Sequence, residues 1–220
     1  MMRDDIESRL RKIVEVSTKK EAIFEWTESA TNQSVPLYNY RLDHIDEVVD
    51  LARHLAVETG ADMEVVTLAA WLHDLAKPGV GGISAEQHGI VSAKMTEEIL
   101  SEENIEHEKI ERVTDVIKKH VGLTLEQPLE PLEAQILWEA DKILKLGVIG
   151  LFQYVLNGIR LFPGRSMKQL ADEIRDFLDL AGKIAGCMVT DPGKAIAQER
   201  LKTLQQVSQA LDSEVNLESE

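Results

Sequence analysis

Six side chains of metal-ligating type, His44, His73, Asp74, His88, His120 and Asp141, fall on the apolar stripes of what the spacing predicts to be separate amphipathic helices. Imidazole and carboxylate groups rarely face a core unless a partner replaces the water they lose, because an unpaired buried charge costs several kcal/mol or is neutralised. A cation is one such partner. Nitrogen and oxygen donors without a thiolate suit borderline or hard divalent ions such as Mn, Fe, Co, Ni or Zn, and the set is too nitrogen-rich for calcium. Side chains at adjacent helical positions diverge by roughly 100°. In the pair His73-Asp74 the carboxylate could therefore bridge two ions while the imidazole binds one.

Positioning these groups falls to helices, and no segment alternates like a strand. The spacing predicts a first helix from Asp4 to about Ser29, followed by a linker over Thr31–Tyr40 that contains Pro36. A second runs from Leu42 to Glu58, with Ile45, Val48, Ala52 and Leu55 facing inward and His44 at the start of that stripe. The run from Met63 to Ala76 is apolar on almost all sides, as expected of a helix at the centre of a bundle, and it carries His73 and Asp74 in its last turn. Pro78 to Gly82 break it, and this loop is read as a flexible rim. Ser84 and Gln87 have capping-box spacing for a new helix with His88 one turn in. His107 to Val121 aligns Ile110, Val113 and Ile117 with His120. From Leu132 a single helix is predicted to carry Leu137, Ala140, Leu144, Val148 and Leu151 on one face, joined by Asp141. Met167–Val189 and Pro192–Leu211 form two more, and the tail after Leu211 is expected to fray.

The expected class is all-α, a compact helical bundle with flanking N- and C-terminal helices. One domain over residues 1–220 is expected, its metal-binding core at about 40–151 and helices 167–211 packed on it. A net charge of −15 opposes binding to a nucleic-acid backbone, and it obliges any phosphate-handling site to be locally cationic. The single cysteine, Cys187, excludes an internal disulfide and reads as a buried, inert thiol. The acidic N-terminus and the lack of a long apolar run lead to the expectation of a soluble, cytoplasmic protein without membrane contact, with a homo-oligomer among the assemblies considered. His54 and His107 lie on polar surroundings and are expected to be solvated.

The order His44, His73-Asp74, Asp141, within the strings RLDHIDEVVDLA, LAAWLHDLAK, HGIVSA, VIKKH and ILWEADKILKLGVIG, resembles the HD superfamily of metal-dependent phosphohydrolases from about Tyr40 to Leu151. The resemblance implies a first metal on His44, His73, Asp74 and Asp141. His88 and His120 match the additional histidines of dinuclear members, which implies a second metal on Asp74, His88 and His120. Lys77 matches the lysine of the HDxxK pattern, which looks like a contact to phosphate; its alternative is an interaction with the helix dipole. Glu47 and Leu144 depart from the family, standing where Arg and Asp are common. Arg41, Lys142 and Arg165 are further candidate anion contacts.

The implied chemistry is hydrolysis of a nucleotide or other small phosphoester by a hydroxide on two divalent transition-metal ions, with Asp74 and Lys77 at the reacting centre, because coordination lowers the pKa of water to about 7. Two alternatives stand beside it. A di-iron oxygenase could use the same six ligands, and a non-catalytic, metal-stabilised domain could bind a ligand or partner without turnover.

Overall fold

A computed structural model describes residues 4–25, 36, 38–76 and 82–216 of the 220-residue chain. All regular structure among the described residues is helical, and the fold is all-α. The chain divides into two compact units, Met1–Asp141 and Lys142–Glu220. No single helix among the described residues is long and apolar enough to cross a membrane.

The first unit is built around α3 (Met63–Leu72), in which every residue from Val65 to Leu72 is buried. It packs against α1 (Asp4–Glu25), α2 (Tyr40–Thr59), α4 (His88–Glu102) and α5 (His107–Lys119). An all-round apolar helix is stable only when enclosed, and each buried Val or Leu contributes roughly 1.5–3 kcal/mol. Its start is fixed by local chemistry. Gly60, at φ 75°, ends α2 with its N–H on the Ala56 carbonyl, and the Asp62 carboxylate then accepts from the N–H groups of Glu64 and Val65. Arg112 of α5 donates to Asp62 at 2.8 Å, and the Asp62 N–H donates to Glu133 at 3.0 Å. Glu133 opens α6 (Leu132–Ile143), whose Trp138 is buried and donates from its indole to the Gly122 carbonyl at 3.1 Å.

Several helix ends differ from expectation, each for a physical reason. The central helix stops at Leu72 instead of Ala76. The next residues commit their backbone groups elsewhere: the Asp74 carbonyl accepts from the Arg41 guanidinium, and the Ala76 N–H donates to Ser92 Oγ at 3.0 Å. Ser84 and Gln87 exchange hydrogen bonds as a capping pair, but the turn they close precedes the helix, so His88 is the first residue of α4. The helix carrying His120 ends at Lys119, with His120 as its cap. The described part of the first helix runs to Glu25, and its expected end near Ser29, most of the linker from Thr31 and the Pro78–Gly81 part of the loop lie outside the described residues.

In the second unit, the helix expected to run unbroken from Leu132 is interrupted before α7 (Gly147–Leu161). Gly147 takes φ 77°, and a Cβ on Gly150 would lie 2.6 Å from the Leu144 carbonyl oxygen, so both glycines are required by this reversal. Helix α8 (Met167–Gly186) begins at a capping box between Ser166 and Gln169, and packs against α9 (Asp191–Val215), which Thr190 caps. The last helix thus extends four residues beyond Leu211. Cys187 is half-buried rather than buried.

Gly89 lets α4 and α5 approach: a Cβ there would stand 2.8 Å from Val121 Cγ1 and 3.1 Å from the Ile117 carbonyl oxygen. Overpacking of this kind costs about 1–3 kcal/mol, more than the few tenths that replacing glycine by valine gains in helix propensity. Gly89→Val is therefore expected to lower the thermal unfolding midpoint. An unchanged midpoint would show that the two helices are not in close contact here.

Candidate metal centre

The six candidate ligands are delivered by five different parts of the first unit. His44 comes from the first turns of α2, and His73 and Asp74 from the turn that ends α3. His88 begins α4, His120 caps α5, and Asp141 lies near the end of α6. The structure brings all six together. Suitable donor atoms of His44, His73 and Asp141 lie within 4.8 Å of one another, as do those of His73, Asp74 and His120. His88 joins through Nε2, 3.4 Å from Asp74 Oδ1 and 3.0 Å from Nε2 of His120, which is itself 3.5 Å from Asp74 Oδ1. Nε2 of His44 lies 3.2 Å from Asp141 Oδ1.

The hydrogen bonds fix the tautomers. Nδ1 of His73, His88 and His120 each faces the carbonyl three residues earlier, Ala70 at 2.8 Å, Ala85 at 2.5 Å and Ile117 at 2.6 Å. A carbonyl can only accept, so each Nδ1 carries a proton, and in the neutral ring each Nε2 presents a lone pair. These carbonyls anchor the rings as partners do around metal-binding imidazoles. The result is that the acceptor nitrogens of His88 and His120 face each other at 3.0 Å, beside the Asp74 carboxylate. Two nitrogens bound tetrahedrally to one zinc-like ion would be roughly 3.3 Å apart, from bond lengths of about 2.0–2.1 Å. Nε2 of His73 and Nδ1 of His44 are buried without a hydrogen-bond partner. The donor set therefore fits divalent cations.

Electrostatics favour the same ligand states. Burial pushes the pKa of His73 down to about 4, against the opposing pull of Asp74, so the ring is neutral near pH 7. For Asp74, burial acts to raise the pKa, but the pull of the His73 and His120 rings in their protonated forms outweighs it and holds the carboxyl well below the usual carboxylate range. Among the six ligands, the Asp74 and His88 side chains form the more open edge, 24% and 11% exposed; the other four are almost wholly buried.

Other candidates behave differently. Lys77 lies outside the described residues. Arg41, a candidate anion contact by sequence, is instead buried and committed to Glu21 and the Asp74 carbonyl. Lys142 is buried, and Arg165 pairs with Glu173 and Tyr154 in the second unit. His54 and His107 are exposed, His107 lying 3.4 Å from Glu111. The hydrogen bonds of Arg41 and Ser92 to the turn that carries Asp74 were not read from the sequence. Their spacing of one helical turn from His44 and His88 was the available signal.

An HD-domain family model matches residues 41–146. Residues 41–146, which hold all six candidate ligands, are an HD domain. This HD protein is 32% identical over 172 residues to ribonuclease Y of Cutibacterium acnes, a match covering 70% of the chain and 31% of that relative, so the chain spans about a third of its length. It shares its fold with Bacillus subtilis YpgQ, solved in complex with ADP, at a TM-score of 0.67 and 18% identity over 96% of this chain and 98% of that one. An HD-superfamily hydrolase of Bacillus thuringiensis superposes with a TM-score of 0.62 and 19% identity, over 95% of this chain and all of the other.

If the six residues hold two ions, titration with Co(II) or Mn(II) should saturate at two equivalents and raise the unfolding temperature, since a ligand at 100 times its Kd stabilises by about 2.7 kcal/mol. His88→Ala should reduce the count to one. Thermal unfolding that ignores divalent ions, or a stoichiometry unaltered in His88→Ala, would contradict the assignment.

Proposed function

We propose that this HD protein is a metal-dependent phosphohydrolase of the six-ligand, dinuclear kind, and that it hydrolyses a nucleotide or another small phosphoester. The observation that carries this reading is the convergence of imidazole Nε2 atoms on the Asp74 carboxylate, with those of His88 and His120 3.0 Å apart. His44, His73, Asp74 and Asp141 would hold one divalent transition-metal ion, and Asp74, His88 and His120 the other. Such ions supply Lewis acidity and bring the pKa of coordinated water toward neutrality.

The chain's own residues supply the rest. The backbone carbonyls of Ala70, Ala85 and Ile117 lock three imidazoles in the ligating tautomer before any substrate arrives. Asp74, held ionised, sits where it can serve both ion positions. Burial of His44, His73, His120 and Asp141 keeps bulk water from the back of the cluster, so substrate is expected to approach along the Asp74 and His88 edge. Lys77, three residues after Asp74, is assigned to a phosphoryl oxygen. Cations at this edge would also overcome the repulsion of a phosphate anion by a chain of net charge −15. The ADP in the YpgQ complex supports a nucleotide as the substrate class, and the ribonuclease relative places a short oligoribonucleotide in the set to be assayed.

The test is a panel of nucleoside mono-, di- and triphosphates, cyclic dinucleotides, simple phosphomonoesters and a short oligoribonucleotide, each with Mn, Fe, Co, Ni, Zn or Mg. Metal-stimulated release of phosphate or nucleoside is expected. Asp74→Ala should reduce it more than about 100-fold, beyond the 10–100-fold typical of residues outside the coordination sphere. Silence across the panel, or turnover insensitive to both chelator and Asp74→Ala, would contradict the proposal.

A further inference from the structure

Residues 73–76, which carry two of the six candidate ligands, leave the helix to which the sequence assigns them, and two side chains account for where they go. The Asp74 carbonyl accepts from the Arg41 guanidinium, which also pairs with the Glu21 carboxylate of α1. Two residues on, the Ala76 N–H donates to Ser92 Oγ at 3.0 Å. Both side chains are buried, Ser92 completely. Arg41 stands three residues before His44 on α2, and Ser92 four residues after His88 on α4. Positions three and four apart share a helix face. Each of the two helices therefore presents, from one face, both a candidate metal ligand and a tie to the turn that carries Asp74.

We infer that Arg41 and Ser92 are positioning residues: they hold the Asp74 turn in register with His44 on one side and His88 on the other, so that a single carboxylate can serve two ions. This rests on the metal-centre reading above. Helix hydrogen bonds cannot perform the task, because α3 has ended at Leu72 and the carbonyls past a helix end need other donors. Arg41 suits one side because its planar fork serves two acceptors at once, the Glu21 carboxylate and the Asp74 carbonyl. Lysine would keep the charge but lose that fork. Ser92 suits the other side because a hydroxyl is the smallest acceptor that fits against a main-chain N–H in a filled core.

The experiment is a Co(II) titration of the full chain, followed by visible absorption, for the wild type, Arg41→Lys, Ser92→Ala and a control, Thr114→Ala. The control removes a buried hydroxyl of α5 that bonds to the Glu111 carbonyl and touches neither tie. Unfolding temperatures measured in chelator report the stability of each metal-free protein. Arg41→Lys and Ser92→Ala should each weaken Co(II) binding about tenfold or more and alter the absorption band, the size of effect expected when a partner of a metal ligand is lost. Thr114→Ala should bind like the wild type even if its metal-free form melts earlier. Variants that bind Co(II) within twofold of the wild type, with an unaltered band, would overturn the positioning role while leaving the metal centre standing. A wild type that binds no Co(II) would overturn both. Should Arg41→Lys fail to fold in chelator, Ser92→Ala decides by the same criteria.

Discussion

Two imidazole nitrogens that both present lone pairs cannot rest 3.0 Å apart in a nearly dry interior without a cation between them or a proton on one, and the geometry of the first unit depends on this constraint. The Nδ1 protons of His73, His88 and His120 are already given to backbone carbonyls. Their Nε2 atoms are turned toward Asp74, an anion in the same space. Removing such groups from water is costly unless the charge is matched. The helices therefore enclose a site that is complementary to positive charge, inside a protein whose overall charge is strongly negative.

The rest of the first unit explains how six ligands from five helical segments meet. An apolar α3, buried from Val65 to Leu72, gives α1, α2, α4 and α5 a common surface to pack on. Gly89 permits α4 and α5 to close up near His88 and His120. Helix ends then do what helix interiors cannot. His73, His88 and His120 all sit at or beside a terminus, where backbone carbonyls and side-chain direction are not fully spent on the helix itself. Early termination of α3 is the clearest case, since it frees Asp74 from the helical direction and leaves it to be held by neighbours.

The sequence carried the helical class and the site to an unequal degree, and the reasons are physical. Ligand types on apolar stripes are visible in one dimension because helical periodicity tells which face each residue shares. That is why His44, His88, His120 and Asp141 could be aligned with their cores and why exposed His54 and His107 could be set aside. The end of α3 was not visible: LHDLA continues an apolar helical pattern, and the bonds that break it come from Arg41 and Ser92, distant in sequence. The break between α6 and α7 was hidden in the same way, with Gly147 and Gly150 embedded in an apolar run. Arg41 could be read only as a candidate anion contact, because its partners, the Glu21 carboxylate and the Asp74 main-chain carbonyl, lie far from it in sequence and no residue type announces the second.

The central claim, two cations sharing Asp74, is tested most directly by anomalous diffraction from crystals of the full chain grown or soaked with Mn(II) or Fe(II). Two anomalous peaks are expected, one among His44, His73, Asp74 and Asp141 and the other among Asp74, His88 and His120. No peak among these residues, or density only on the acidic surface, would contradict it.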